Sequence, residues 1–174
     1  MKIYLREVGA EDADKIIAWR NSPSIVDKYI DRTPITRDSH RCFVENKIKT
    51  GLYKQFMVQK IEEDFGVISY SIACVYLKDI DRVNKKCELC ILPSPDYEWV
   101  DGAKKQAIQL LLQKAFTEFD INKVYATAFS DSADEIQLLE EAGFAKECVM
   151  EQEICIDEKF YDLVRYKYLS EWFR

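Results

Sequence analysis

The sequence predicts an α+β fold: a central mixed, mostly antiparallel, twisted sheet of about six or seven strands flanked by about four helices. Three observations carry this. The 174 residues are 48% hydrophobic and 13% aromatic with only 5 Gly and 4 Pro, the balance of a packed chain. Period-two and period-3.6 runs fill the chain without a linker, internal repeat or low-complexity tract. Their order is strand, two helices, three antiparallel strands, helix, strand, helix, two strands. The length suits one domain over residues 1–174, able to bury a core without disulfides or metal.

Residues 2–7 begin as a strand. Ala13, Ile16, Ile17 and Trp19 then recur at helical spacing behind Glu11-Asp12, so a helix is expected over residues 11–20, broken by Asn21-Ser22-Pro23-Ser24. Thr36 is placed to cap a second helix running through Phe43, Val44 and Ile48 to Gly51. Residues 54–61 and 65–77 are β-branched, aromatic and apolar, and the polar Glu62-Glu63-Asp64 between them signals a hairpin. A third strand, 86–92, ends at Pro93-Ser94-Pro95, since proline cannot donate to a ladder. Ala103, Ala107, Leu110, Leu111, Lys114 and the Phe116/Phe119 pair mark a long helix over 101–119. Val124, Ala126 and Ala128 alternate as a strand. Ser132 and Glu135 read as a capping box for a helix whose Ile136, Leu138, Leu139 and Ala142 face inward and which Gly143 ends. Two last strands, about 144–156 and 160–169, flank the hairpin signal Asp157-Glu158-Lys159.

The net charge is −6, with 31 acidic and 25 basic residues spread evenly, so no basic block exists to neutralise a run of phosphates and nucleic acid is not expected as a partner. The start, Met1 to Arg6, lacks the pattern of a signal peptide, no segment is long enough to span a bilayer, and a cytoplasmic, membrane-free protein is expected. Cys42, Cys74, Cys87, Cys90, Cys148 and Cys155 lie in apolar stretches and read as reduced core thiols. Cys87 and Cys90 have C-x-x-C spacing, but they fall in a strand and nothing completes a set of four ligands, so no metal is expected.

Several segments resemble the GCN5-related N-acetyltransferase (GNAT) superfamily. Cys87-Glu88-Leu89-Cys90-Ile91-Leu92, then Pro95 through Gly102, then Gln106-Ala107 opening a helix, are similar to its acyl-CoA segment. Leu138 through Phe144 is similar to its helix-to-strand signature, and Phe160-Tyr161-Asp162-Leu163-Val164 to its closing strand. Leu5-Arg6, Glu11-Asp12-Ala13 and Trp19-Arg20-Asn21 resemble the branch with ribosomal-protein alanine and amino-sugar-nucleotide acetyltransferases. The resemblance covers nearly the whole chain and implies a GNAT-like fold with acetyl-CoA as co-substrate. It implies that the main chain of Leu89, Cys90, Ile91 and Leu92 holds the pantetheine. The helix start at Val100, Asp101, Gly102, Ala103, Lys104 and Lys105, with Ser132, is implied to hold the pyrophosphate, through unpaired N–H groups at a positive dipole end. Four positions stand out against the pattern: Lys104 where a small residue is usual, Asp101 with a negative charge where anions should dock, Ser132 in place of an asparagine, and Leu139 where many relatives place a proton-donating tyrosine.

The reaction implied is attack of a neutral amine on the thioester, which needs a base and a proton donor. Glu88, at the start of its strand, is the leading base candidate, set against an exposed carboxylate paired with Lys85 or Lys86. His40, the one histidine, is a second, set against a solvent-facing helical residue, the more frequent case. Tyr125 is a donor candidate. Trp19, Arg20, Asn21 and Asp31, with Arg32 beside it, are candidates to line the acceptor side. The acceptors expected are a small-molecule, sugar-nucleotide or protein N-terminal amine, taken by a monomer or homodimer. The alternative is a catalytically degenerate acyl-CoA-binding or partner-binding module of the same fold.

Overall fold

The computed structural model describes residues 2–62, 68–96 and 101–173. A single seven-stranded sheet has the order β1-β2-β3-β4-β5-β7-β6. Its strands are β1 (Lys2–Glu7), β2 (Lys54–Glu62), β3 (Ile68–Asp81), β4 (Lys86–Pro93), β5 (Lys123–Phe129), β6 (Ala145–Ile156) and β7 (Lys159–Leu169). Neighbours run antiparallel except β4 and β5, which are parallel. Among the described residues there are five α-helices: α1 (Ala13–Arg20), α2 (Pro23–Val26), α3 (Arg37–Phe43), α4 (Asp101–Thr117) and α5 (Ala133–Glu141). The addition to the expected four is α2: Pro23 ends α1 but sits at the first turn of the next helix, where its missing N–H costs nothing.

Helix α3 starts on a formed box, in which the Thr36 hydroxyl accepts from Ser39 N–H and Thr36 N–H donates to Ser39 Oγ. It continues as a π turn, Val44–Ile48, and stops at Gly51, whose φ of +76° suits glycine. Asp157 and Glu158 both take left-handed φ, +49° and +63°, which gives the β6–β7 hairpin the turn that matches strand twist. A short turn joins β3 to β4, because β3 runs to Asp81 and β4 starts at Lys86.

Strand alternation sorts side chains onto two faces. One face carries Phe56, Val58, Val75, Leu77, Cys87, Leu89, Val124, Ala126 and Ala128 against Ala103, Ala107, Ile108, Leu111, Leu112 and Ala115 of α4. The other carries Met57, Cys74 and Leu92 against Ile16, Trp19 and Ile25 of α1 and α2. Cys74 and Cys87 are core thiols, whereas Cys42, Cys148 and Cys155 are exposed and correct that expectation. Cys87 and Cys90, an odd number of residues apart on one strand, face opposite sides of the sheet, so their spacing does not bring them together.

Candidate active site

The parallel pairing of β4 with β5 is three rungs long, Lys86↔Lys123, Cys87↔Val124 and Glu88↔Tyr125, and then the strands part. Beyond Glu88, β4 stays paired to β3 and β5 to β7, so a V opens between Leu89–Pro93 and Ala126–Phe129. Ser94 N–H donates to Ile72 C=O at 3.0 Å, which sets the phase of the β3–β4 ladder. With the register 74↔92, 75↔91, 76↔90 and 77↔89, Cys90 and Leu92 spend their main-chain groups on β3, Leu89 N–H closes the last rung to β5, and the Leu89 carbonyl and the Ile91 groups turn into the V. Half of the four-residue main-chain site expected from the sequence is therefore engaged elsewhere. The Ile91 carbonyl also accepts from the Tyr29 hydroxyl at 2.9 Å.

Glu88 and Tyr125 share the last rung and the same sheet face, the one covered by α1 and α2. Glu88 pairs with Lys78 across β3–β4 at 3.1 Å, not with Lys85 or Lys86, and only 13% of its side chain is exposed. Burial raises the Tyr125 phenol above its ordinary range, the charge of Glu88 adds to this, and Arg165 opposes it. The Arg165 guanidinium lies over the Tyr125 ring, 4.8 Å from its centroid. Burial and neighbouring Glu88 push the Cys90 thiol up to about 12, so it stays protonated. A row of rings, Phe43, Tyr53 and Tyr76, approaches from α3.

At the mouth of the V, α4 starts among Asp101, Gly102, Ala103, Lys104 and Lys105. Among the described residues, a Cβ built on Gly102 meets nothing within 4 Å, so none of them covers the main-chain N–H groups of the first turn at this point. Ala103 is fully buried against the core, so it offers main chain alone, while Lys105 is exposed. Val100 lies outside the described residues. A cavity of about 510 Å³, lined by Lys15, Ala18, Trp19, Tyr70, Ser71, Pro95 and Asp96, lies past the end of β4, apart from the Glu88–Tyr125 rung.

Residues 2–145 match the family described as the acetyltransferase (GNAT) domain. The chain belongs to the GNAT acetyltransferase family. It is an N-acetyltransferase, moving an acetyl group from acetyl-CoA to an amine. The uncharacterized N-acetyltransferase p20 of Bacillus licheniformis is 25% identical over 153 residues, 84% of this chain and 80% of the relative. A spermidine N(1)-acetyltransferase of Escherichia coli is 23% identical over 176 residues, covering 97% and 89% of the two chains. The crystal structure of spermidine N-acetyltransferase from Vibrio cholerae, in complex with CoA and spermine, superposes with a TM-score of 0.86 at 21% identity, over 97% of this chain and 96% of that one. The seven-stranded fold is thus the GNAT fold.

Other expected site residues of this GNAT acetyltransferase lie elsewhere or are already engaged. Trp19 is 4% exposed and packs in the core with Met57 and Leu92. Asn21 holds the following loop, donating to Ile35 C=O at 2.7 Å and accepting from Ile35 N–H at 2.8 Å, which uses both ends of its amide. Arg20 donates to Asp31 C=O and stacks on the Tyr29 ring at 4.0 Å, while the Asp31 carboxylate accepts from Thr33 N–H. These contacts tie the end of α1 to the loop over residues 29–35. His40 is 8% exposed, not solvent-facing, and its ring contact is Phe43 at 6.3 Å. Ser132 makes no cap hydrogen bond to the backbone and its own N–H donates to Phe129 C=O, so the expected capping box is not formed. Leu139 is buried in the core and has no proton to give.

Lys78, Tyr29 and Arg165 were not among the sequence candidates. All three meet the site through register or from the loop after α2, with no local motif. The available signal was a charged residue at a sheet-facing position of a strand, as at Lys78 and Arg165. Among the described residues, no three His, Cys, Asp or Glu side chains converge as a metal site.

Proposed function

We propose that residues 1–174 act as one domain that acetylates a small-molecule amine at the Glu88–Tyr125 rung. The observation that carries this is the pairing of a carboxylate and a phenol side by side where β4 and β5 part. Pantetheine lies along Leu89 and Ile91 and delivers the thioester carbonyl to the apex. The amine nitrogen, approaching from the α1–α3 side, forms the new C–N bond, and its proton passes to Glu88. The C–S bond breaks, and the departing thiolate takes the proton of Tyr125, the role for which Leu139 is unsuited. Lys78 holds the Glu88 carboxylate by one oxygen and leaves the other for the amine. The first turn of α4, with Lys104 and Lys105, receives the pyrophosphate. His40 neither accepts nor donates a proton in this scheme.

A small-molecule acceptor is favoured over a protein N-terminus because relatives that match most of the chain are named spermidine acetyltransferases. No helix among the described residues is long and apolar enough to cross a membrane, consistent with a cytoplasmic enzyme. The test is steady-state kinetics of Glu88→Gln and Tyr125→Phe with acetyl-CoA and an acceptor panel. Each is expected to lower kcat about 10²- to 10⁴-fold at nearly constant KM for acetyl-CoA. A kcat within threefold of the parent in both variants overturns the assignment. Acetyl-CoA binding without transfer to any acceptor would favour the degenerate, binding-only reading.

A further inference from the structure

We infer that Arg165 anchors an anionic group, carboxylate or phosphate, on the acceptor amine, so that the natural acceptor is not a simple polycation. The inference rests on the acceptor-side reading of the Glu88–Tyr125 rung.

Arg165 on β7 pairs in register with Thr127 on β5 and so shares the sheet face of Tyr125 and Glu88. Stacking on Tyr125 holds its planar fork beside the reacting centre. Only Nε is both enclosed and without a hydrogen-bond partner; the two terminal nitrogens are not enclosed, and no ion pair or hydrogen bond engages them among the described residues. A half-buried guanidinium without a counterion is costly, and arginine is the side chain whose fork fits carboxylate and phosphate oxygens two at a time.

Two nearby carboxylates are held by lysines, although Arg165 also bears on the charge of Glu147. Glu88 is paired with Lys78, and Glu147 with Lys123 and, at 3.8 Å, with Lys167. Asp79 is exposed, takes a left-handed φ of +52° and forms no ion pair among the described residues, although its charge is felt at Tyr125. What stands beside the rung is therefore a guanidinium fork with no carboxylate bound to it, even though the chain as a whole carries −6. An acceptor with an amine at one end and an anion at the other completes the pairing: the amine meets the free oxygen of Glu88 and the anion meets Arg165.

Matched acceptors that differ only in the anion provide the test. L-lysine against cadaverine probes a carboxylate, glucosamine 6-phosphate against glucosamine probes a phosphate, and spermidine serves as polycation control. In the parent protein kcat/KM is expected to favour the anionic member of at least one pair by about tenfold or more. Which pair responds identifies the anion. In Arg165→Met that ratio is expected to fall towards one, and in Arg165→Lys to fall between, because the charge remains and the fork is lost. The ratio is read because any general damage to Tyr125 cancels in it. Preference for cadaverine, glucosamine or spermidine in the parent, or an unchanged ratio in Arg165→Met, overturns the inference. If no acceptor is acetylated, the transferase reading fails separately. Calorimetric titration of the same pairs into the CoA-bound protein then decides: an anion preference lost in Arg165→Met supports the anchor, and equal binding of both members sinks it.

Discussion

Asp12 is 4% exposed, and its carboxylate takes two hydrogen bonds from Arg6, at 2.8 and 2.9 Å, and one from Gly9 N–H at 2.8 Å. Burial works against its charge, but these donors outweigh it and hold the carboxyl below its ordinary 3.8. The unfolded chain then binds the proton first, so this stabilisation is complete above about pH 4 and is lost as pH falls through the lower folded value. His40 behaves in the same direction over a higher window. Burial lowers it from 6.5, the folded state keeps it neutral, and stability falls as pH drops below about 6.5. Two acid-side steps are expected in chemical denaturation between pH 8 and 3. His40→Phe should flatten the upper step and Asp12→Asn the lower, the latter also costing about 1.5–3 kcal/mol at pH 7. His40→Phe is further expected to keep kcat within a few-fold, since its ring meets Phe43 rather than the Glu88–Tyr125 rung. Tyr29→Phe leaves the Ile91 carbonyl without its protein donor, and a loss of about 1 kcal/mol in the same denaturation assay is the expected result.

Strand phase and helix start decide what the larger elements can bind. Periodicity located β4 and α4 well, with β4 observed at Lys86–Pro93 and α4 at Asp101–Thr117. Periodicity also shows which side chains share a face, but not which main-chain groups are free, because that depends on the phase of the ladder with β3. Hence the Leu89 carbonyl and Ile91 N–H are left for a ligand, whereas Cys90 and Leu92 are spent on β3. Gly102 separates binding from stability at the start of α4. Since a Cβ there meets nothing within 4 Å among the described residues, Gly102→Ala is expected to stabilise the protein by a few tenths to about 1 kcal/mol through helix propensity. The same methyl stands where the phosphates must approach, so acetyl-CoA binding by calorimetry should weaken about tenfold or more. An acetyl-CoA affinity equal to the parent's would remove the pyrophosphate from this helix start.

At the scale of the whole molecule, α4 is the member that the first five strands of the sheet pack against: Leu111 and Leu112 are fully buried, as are Phe56 within 1%, Val75 and Val124. Leu111→Ala is expected to cost about 2–5 kcal/mol, read by denaturation, with kcat per folded molecule unchanged, because the cavity forms on the face opposite Glu88. Hydrophobic periods of two and 3.6, turn residues at Gly51, Pro93 and Gly143, and the Thr36 cap are local signals, and by themselves they determined all seven strands, their order and four of the helices. The family resemblance in residues 87–102 and 138–144 likewise needed only the sequence, and so did the candidacy of Glu88 and Tyr125. Their adjacency did not. It arises from a parallel rung between strands with a helix between them, and the partners Lys78 and Arg165 reach the rung from β3 and β7 by register alone. The burial of Trp19 and His40 and the engagement of Asn21 also belong to packing, since a residue's spacing along a helix does not say what will cover it. Sequence fixes what each element can be, whereas the charge and hydrogen-bond partners left over at a site are a sum over distant segments, and only the folded sheet performs that sum.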